Sequence, residues 1–275
     1  MRVSTARNPS FPTPEKQPAE IGCAQQSSRA TDVTQASDRF VRPSQKTRDV
    51  SQTLPPRIAL AKAEIKRIAS QNTTNKENIK EVREQLEPHI SVLADYFSKN
   101  RPSNEVELTQ GTWKNLWYDD PDIDRGPGFL KLDRERIWQV IDKNFYTNVA
   151  ESKFSLFGLR LGTLQSFVKG NYTIGEEADP VPGDGRPRKN VINLEFDDNR
   201  ARLGKLPANA NLQDLVDAVE SKETWTLTVP GPKGIKGELW NLYVDDNIRI
   251  SAGIQKGESK SDGLDLYILE RGKLS

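Results

Sequence analysis

Acidic side chains with a suggestive spacing stand near the middle of the chain. Asp120, Asp122 and Asp124 occupy the first, third and fifth places of a calcium-binding loop. The glycine needed at the sixth place is Arg125, and the acid needed at the twelfth is Lys131. We therefore interpret this segment as an acidic surface turn rather than as a metal site.

The remaining residues that could perform chemistry do not form a catalytic set. The Asp pairs 197–198 and 245–246 each precede an Asn, which is typical of hairpin turns, although paired carboxylates can exchange protons. His89 is the single histidine and Cys23 the single cysteine, which excludes a histidine-rich metal site, an internal disulfide and a thiolate zinc site. Segment 253–258 lacks the Gly-Lys-Ser/Thr end of a phosphate-binding loop. We therefore predict a protein that is not an enzyme and that holds no cofactor or metal.

The net charge and the distribution of apolar residues limit which nucleic-acid and membrane contacts can be expected. The formal net charge is +1, so no overall field attracts nucleic acid, and we expect no nucleic-acid partner. No apolar run is long enough to span a bilayer, so any contact with a membrane is expected at its surface. The sequence specifies no oligomeric state.

Three regions follow one another along the chain. Residues 1–56 are rich in Ser, Thr, Gln, Pro and Arg and poor in large apolar residues, which predicts either a flexible tail or an organelle transit peptide. Residues 57–105 carry two helical stripes, the first at Ile58, Ala61, Ile65 and Ile68, the second from Ile79 to Phe97 with a kink or restart expected at Pro88. Thr74 and Glu77 fit a capping box between them. We expect these helices to pack on the next domain or on each other; a lipid-binding or partner-binding role is the alternative.

Residues 106–275 change to alternation with period two. Turn residues separate predicted strands at 113–118, 136–141, 144–157, 159–174 (one or two strands, broken near 170–171), 191–196, 224–229, 238–244, 248–254 and 264–270. A short helix is predicted at 211–221. The pattern predicts a mainly β fold, either a barrel or a sandwich. Of the two we expect a closed antiparallel lipocalin-like barrel of about eight strands, preceded by an N-terminal helical segment. The interior of such a barrel holds one small ligand.

Two segments resemble a known family. Leu108-Thr-Gln-Gly-Thr-Trp113 contains the Gly-x-Trp that opens the first strand of lipocalins. Tyr243-Val-Asp-Asp-Asn-Ile-Arg249-Ile250, followed by the strand 264–271, is similar to the closing hairpin of plastid lipid-associated proteins, also called fibrillins. The resemblance implies a plastid or cyanobacterial location, an association with thylakoids or plastoglobules, and a ligand such as an isoprenoid, carotenoid, quinone or fatty acid.

Candidate ligand-binding residues are those that alternation could direct into a barrel. They are Trp138, Val140, Tyr146, Phe154, Phe167, Ile192, Leu194, Phe196, Leu242, Arg249, Ile250 and Ile268. Plain core packing is the alternative for each of them. Trp113 is expected to plug one end of the barrel.

Arg249 stands out because it interrupts an apolar strand. If it points inward it needs a carboxylate, a carbonyl or the acid head of a ligand to offset its desolvation. The alternative is an outward, solvated Arg, or one stacked over Trp113. Basic loops at 186–189 and 233–236 could contact anionic headgroups or simply be solvated.

Two classes of function follow from these observations. The first is a non-catalytic carrier of an apolar small molecule at a photosynthetic membrane or lipid globule. The second is a structural or interaction protein whose barrel is filled by its own side chains, and which coats lipid bodies or docks partner proteins.

Overall fold

The computed structural model describes residues 54–72, 78–119, 130–143, 145–157, 159–179, 186, 188–204, 227–228, 234–255 and 264–272. Several predictions lie outside these residues: the tail at 1–53, the capping box at 73–77, the acidic turn at 120–125 and the helix at 211–221. All described residues fall within one compact unit, Gln52–Ser275.

In the described part of the chain, three helices precede the sheet: α1 Pro56–Gln71, α2 Ile79–Lys99 and α3 Glu105–Thr109. The apolar stripes of α1 and α2 are buried, as their spacing predicts. A proline at the first position of α1 suits a helix start, because its missing N–H would have no partner there. Pro88 lies inside α2 without dividing it, so the restart predicted there does not occur.

Nine strands follow within the described ranges, and the predicted fold class is confirmed. They are β1 Gly111–Tyr118, β2 Leu130–Ile141, β3 Phe145–Leu156, β4 Leu159–Ala178, β5 Arg188–Leu203, β6 Leu227–Thr228, β7 Lys236–Val244, β8 Ile248–Gln255 and β9 Asp265–Arg271. Eight of them close a barrel in the order β1-β2-β3-β4-β5-β7-β8-β9, with β9 paired to β1 and every pairing antiparallel. The short strand β6 pairs with β5 beside this ring.

Two predicted interruptions are absent from β4 and β5. The break expected near Gly170 and the turn expected at 197–199 both lie within continuous, paired strands. The register shifts at this point, between Lys169 and Gly170, so the extra residue is accommodated as a β-bulge. A Cβ on Gly170 would lie 2.4 Å from the carbonyl oxygen of Glu195. Glycine is therefore needed here for close approach of two backbones, not for a turn.

A hydrogen bond across the barrel shows which side chains face its interior. Arg249 Nη1 on β8 donates to Gln139 Oε1 on β2 at 2.9 Å, although β9 and β1 lie between these strands. Such a bond can only cross the lumen. Because paired residues in antiparallel strands point to the same side, the register then assigns every strand's lumen face. Asn241, Leu239, Leu194 and Tyr146 share that face with Arg249.

Helices α1 and α2 cover the outer wall of β7, β8, β9 and β1. The rings of Phe97 and Tyr243 lie 5.7 Å apart, and Lys66 Nζ is 3.7 Å from a carboxylate oxygen of Glu270. The wall beneath the helices is apolar and fully buried, and its largest members are Trp117, Trp240, Ile250 and Ile268. Helices and barrel therefore share one hydrophobic core.

Candidate ligand site in the barrel lumen

One end of the barrel is closed by α3 and Trp113. The indole Nε1 of Trp113 donates to the carbonyl oxygen of Thr109 at 2.8 Å, and its ring is fully buried. The guanidinium carbon of Arg271 lies 3.8 Å from the centre of that ring. The stacking partner of Trp113 is therefore Arg271 and not Arg249, which points into the lumen.

Glu105 on α3 anchors the closed end to the strands. This carboxylate accepts hydrogen bonds from Arg101 at 2.5 Å, from Asn190 at 2.6 Å and from Asn241 at 3.0 Å. Asn241 in turn accepts from Arg249 Nε at 2.8 Å through its side-chain oxygen. The chain of bonds connects one helix and three strands, and it fixes the guanidinium of Arg249 at the bottom of the lumen.

Arg249 is fully buried, and among the described residues its hydrogen bonds go to two neutral oxygens, those of Asn241 and Gln139. Desolvation lowers the pKa of Arg249 to about 10, with Arg271 adding to this and with Tyr146 and Glu105 opposing it. The guanidinium remains protonated at neutral pH. Burial also raises the pKa of the neighbouring Tyr146 hydroxyl, so that group stays neutral and able to donate.

Three polar atoms of the lumen have no hydrogen-bond partner among the described residues. They are Arg249 Nη2, Ser251 Oγ and Asn115 Oδ1. Arg249 and Asn115 both pair with Leu269, and Ser251 lies two residues beyond Arg249, so all three share one face on neighbouring strands. Buried polar groups are almost always satisfied in folded proteins. This cluster is therefore suited to the polar end of a bound molecule or to ordered water.

A cavity of about 90 Å³ lies toward the opposite end, where the strands start or finish near Lys236 and Asp265. The rings of Tyr146 and Phe196 meet over Gly170 with their centres 6.3 Å apart. Leu194, Leu239, Tyr267 and other residues of β5, β7, β8 and β9 complete the lining. We call this end the mouth, because Lys236 at its rim is exposed.

The candidate residues divide between the two faces of the barrel wall. Tyr146, Ile192, Leu194, Phe196 and Arg249 are on the lumen face, and Tyr146, Leu194 and Phe196 line the cavity. The other face holds Trp138, Val140, Phe167, Ile250 and Ile268, so the inward orientation predicted for these five is wrong. Phe154 lies at the far end of β3 and Leu242 at a bulge of β7, and neither lines the cavity.

The physical reason is that the outer wall is also buried. Alternation reports which residues share a face, but it identifies the lumen only when the other face is solvated. Here α1 and α2 bury Ile250 and Ile268 as completely as a core would. A better signal for the lumen is a polar residue inside an apolar strand, and it points to Gln139 and Asn241, which are not among the candidate residues.

Other kinds of site receive no support within the described ranges. There, His, Cys, Asp and Glu form no group of three that could hold a metal ion. Among the helices of those same ranges, none has the length and apolar character needed to cross a bilayer. No protein-family model matches the chain, and no curated protein is significantly similar to it. The fold defines a closed eight-stranded β-barrel protein, and its function has to be argued from the lumen.

Proposed function

We propose that the protein is a non-catalytic binding protein for a slender amphiphilic molecule. Its apolar chain would occupy the mouth of the lumen and its acidic end would approach Arg249. The observation that carries this proposal is a fully buried guanidinium inside a closed barrel, whose Nη2 has no hydrogen-bond partner in the described part of the chain. Burying such a group costs desolvation energy, which an acidic group bound beside it would offset.

The size of the cavity selects among the expected ligands. Pockets for drug-sized molecules usually measure about 300–1,000 Å³, whereas this one measures about 90 Å³. Carotenoids and quinone rings are bulkier than a single unbranched chain and would require a larger rearrangement of the lining. A fatty acid or a single prenyl chain with an acidic end fits better, with the Tyr146 and Phe196 rings swinging aside as the chain enters.

The energetics of such a ligand are favourable at both of its ends. Apolar surface moved out of water contributes roughly 25 cal/mol per Å². A carboxylate facing Arg249 forms a charge-assisted hydrogen bond, about twice as strong as a neutral one. Ser251 offers a hydroxyl donor to the same head group. No reacting nucleophile is required for this role.

The location follows only from resemblance. Similarity to the plastid lipid-associated proteins supports a plastid or cyanobacterial setting, with thylakoids or plastoglobules as the source of the ligand. The lipid-binding role can be tested independently of this location, because ligand binding to the lumen can be measured in solution.

The test compares acid-headed with neutral ligands. We expect palmitate to bind more tightly than hexadecanol in calorimetry, and Arg249→Leu to weaken palmitate binding by about 1.5–3 kcal/mol, roughly ten- to a hundredfold. Hexadecanol binding should change little. Arg67→Leu, which removes an exposed guanidinium from α1, is the matched control. Equal losses for both ligands, or no binding of either, would contradict the proposal.

A second candidate is an interaction protein with a self-filled barrel, and the small cavity favours it. Its lumen residues would then serve only to hold the wall together. Native mass spectrometry of the protein from its source separates the two, since a stoichiometric apolar guest is expected only of the carrier.

A further inference from the structure

Glu105 is a buried carboxylate whose two oxygens receive different donors. It is the first residue of α3, at the closed end of the barrel, and only 1% of it is exposed. Its Oε2 accepts from Arg101 Nη1 at 2.5 Å and from Asn190 Nδ2 at 2.6 Å. Its Oε1 accepts from Asn241 Nδ2 at 3.0 Å. The two oxygens therefore differ, because one receives two donors and the other receives the amide of β7.

The position of Asn241 between two charged groups determines which way its amide points. A carboxylate only accepts hydrogen bonds, and a guanidinium only donates them. Asn241 Nδ2 therefore faces Glu105 Oε1, with Thr109 Oγ1 as a second acceptor at 2.8 Å, and Oδ1 faces Arg249 Nε at 2.8 Å. With the amide reversed, a donor would meet the guanidinium and an acceptor would meet the carboxylate. Glu105 thus selects one of the two orientations that an asparagine amide can adopt.

The orientation of Asn241 in turn determines which nitrogen of Arg249 is available to a ligand. A guanidinium is a rigid planar fork, so bonds to two of its nitrogens fix the direction of the third. Nε donates to Asn241, and Nη1 donates across the lumen to Gln139 at 2.9 Å. Nη2 is the nitrogen for which the described residues supply no partner. If the amide of Asn241 turned over, Nε would lose its acceptor and the fork would be free to rotate.

We propose that Glu105 is a positioning residue that sets the head-group preference of the lumen. It acts through Asn241: the carboxylate holds the amide, the amide holds Nε of Arg249, and Nη2 is thereby aimed at the polar end of the ligand. Glu105 does not need to touch the ligand itself. The effect on binding rests on the proposed function, whereas the orientation of Arg249 by Glu105 is a property of the ligand-free chain.

Glu105→Gln keeps the shape of the side chain but replaces one acceptor by a donor. The new carbonyl is expected to face Arg101 and Asn190, because two donors meet there, so that the new amide nitrogen faces Asn241. Asn241 then turns its amide and presents a donor to Arg249. We expect palmitate binding in calorimetry to weaken about tenfold, and hexadecanol binding to change little.

A double-mutant cycle separates positioning from a plain effect of charge. Removing a negative charge near Arg249 should by itself strengthen the binding of an acid, whereas loss of orientation should weaken it. In Asn241→Leu the connection is already cut, so adding Glu105→Gln there should not weaken palmitate binding further. The effects of Glu105→Gln with and without Asn241 should therefore differ about tenfold. Glu107→Gln, which changes an exposed carboxylate of the same helix, is the matched control, with no change expected.

The orientation of Arg249 can also be measured without a ligand. In proton–nitrogen NMR of the ligand-free chain, the side-chain Nε–H of Arg249 should shift and exchange faster with solvent in Glu105→Gln, and stay unchanged in Glu107→Gln. Thr109→Val is a milder variant for the case that Glu105→Gln does not fold. It removes the second acceptor of Asn241 Nδ2, and we expect palmitate binding to weaken about twofold to threefold, with the same signal shifted.

Two results would overturn the inference. One is an unmoved Nε–H signal of Arg249 in the folded variants. The other is an effect of Glu105→Gln on palmitate binding that is the same with and without Asn241. If the unchanged chain binds no palmitate, the proposed function fails, whereas the Nε–H signal still tests whether Glu105 positions Arg249. The two failures are therefore distinguishable.

Discussion

The lumen and the outer wall beneath the helices are two faces of the same strands, but their buried side chains differ in polarity and in the contacts they make. The outer wall presents Trp117, Trp240, Ile250 and Ile268 to the helices, and all four are buried in a continuous apolar core. The lumen mixes apolar residues with Arg249 and several amides, and some of its polar atoms find no hydrogen-bond partner among the residues that the structure describes. We therefore expect the outer wall to contribute most of the stability, whereas under the proposed function the lumen would determine which ligand binds.

Two requirements, a stable fold and an interior that keeps polar groups, are therefore met by different faces of the same strands. Packing between the helices and the wall holds β7, β8, β9 and β1 together without help from a ligand. The lumen is thereby free to keep a charged group that a folding core would exclude. Variants on the two faces should accordingly affect different measurements.

The largest effect on stability is expected from the outer wall. Ile250→Ala should lower the free energy of unfolding by about 2–5 kcal/mol, because a fully buried side chain leaves a cavity beneath the helices. Urea denaturation followed by tryptophan fluorescence measures this loss. The fraction that remains folded should bind palmitate as before. If Ile250→Ala lowers the free energy of unfolding by less than Arg249→Leu does, the outer wall is not the main source of stability.

A smaller effect on stability is expected from the lumen. Arg249→Leu relieves the desolvation of a guanidinium but deprives Gln139 and Asn241 of their donor. The two effects oppose each other, and we expect a net loss of about 1 kcal/mol. The same urea experiment measures it. If this variant instead unfolds at room temperature, the charge is part of the core and the comparison fails.

The smallest effect is expected at the turn between β7 and β8, where α1 meets the barrel. Desolvation raises the pKa of Asp245, but its bond from Lys62 and those from two backbone amides outweigh that, so the pKa lies below its ordinary value. The stabilisation is then fully present above the ordinary carboxylate pKa, about 4, and is lost as pH falls through the lowered value.

Asp245→Asn should therefore remove part of the acid dependence. We expect the free energy of unfolding to fall less steeply below about pH 4 in this variant than in the unchanged chain. Acid titration followed by circular dichroism checks this, with Asp246→Asn as the neighbouring control. An unchanged slope would show that Lys62 and Asp245 contribute little to holding α1 on the wall.

Much of the architecture could be read from local patterns. The spacing of Ile58, Ala61 and Ile65 predicts α1, and alternation bounded by turn residues predicts most strands and the closed barrel. Local patterns gave the wrong secondary structure where a contact between residues distant in sequence determines the backbone conformation. The bulge opposite Gly170 keeps residues 197–199 inside β5, although their types favour a turn.

The site was only partly predictable for a related reason. Arg249 was identifiable because a charge inside an apolar strand demands a partner. Its partners Gln139 and Asn241 come from strands far along the chain, so no local pattern connects them. The orientation of Ile250 and Ile268 depended on helices that cover the other face, which periodicity within a strand cannot report.

The seam between β1 and β9 has a consequence for how the barrel is made. Trp113 on β1 pairs with Arg271 on β9, so the barrel cannot close until the last strand has been made. Bringing together positions so far apart in the chain costs loop-closure entropy before the contacts between β1 and β9 can form. This order of events slows folding. Until β9 arrives, the edge of β1 is unpaired during synthesis and open to wrong partners. The N-terminal helices pack on the outer face of β1 and not along its edge, so only β9 satisfies the free backbone groups of that strand.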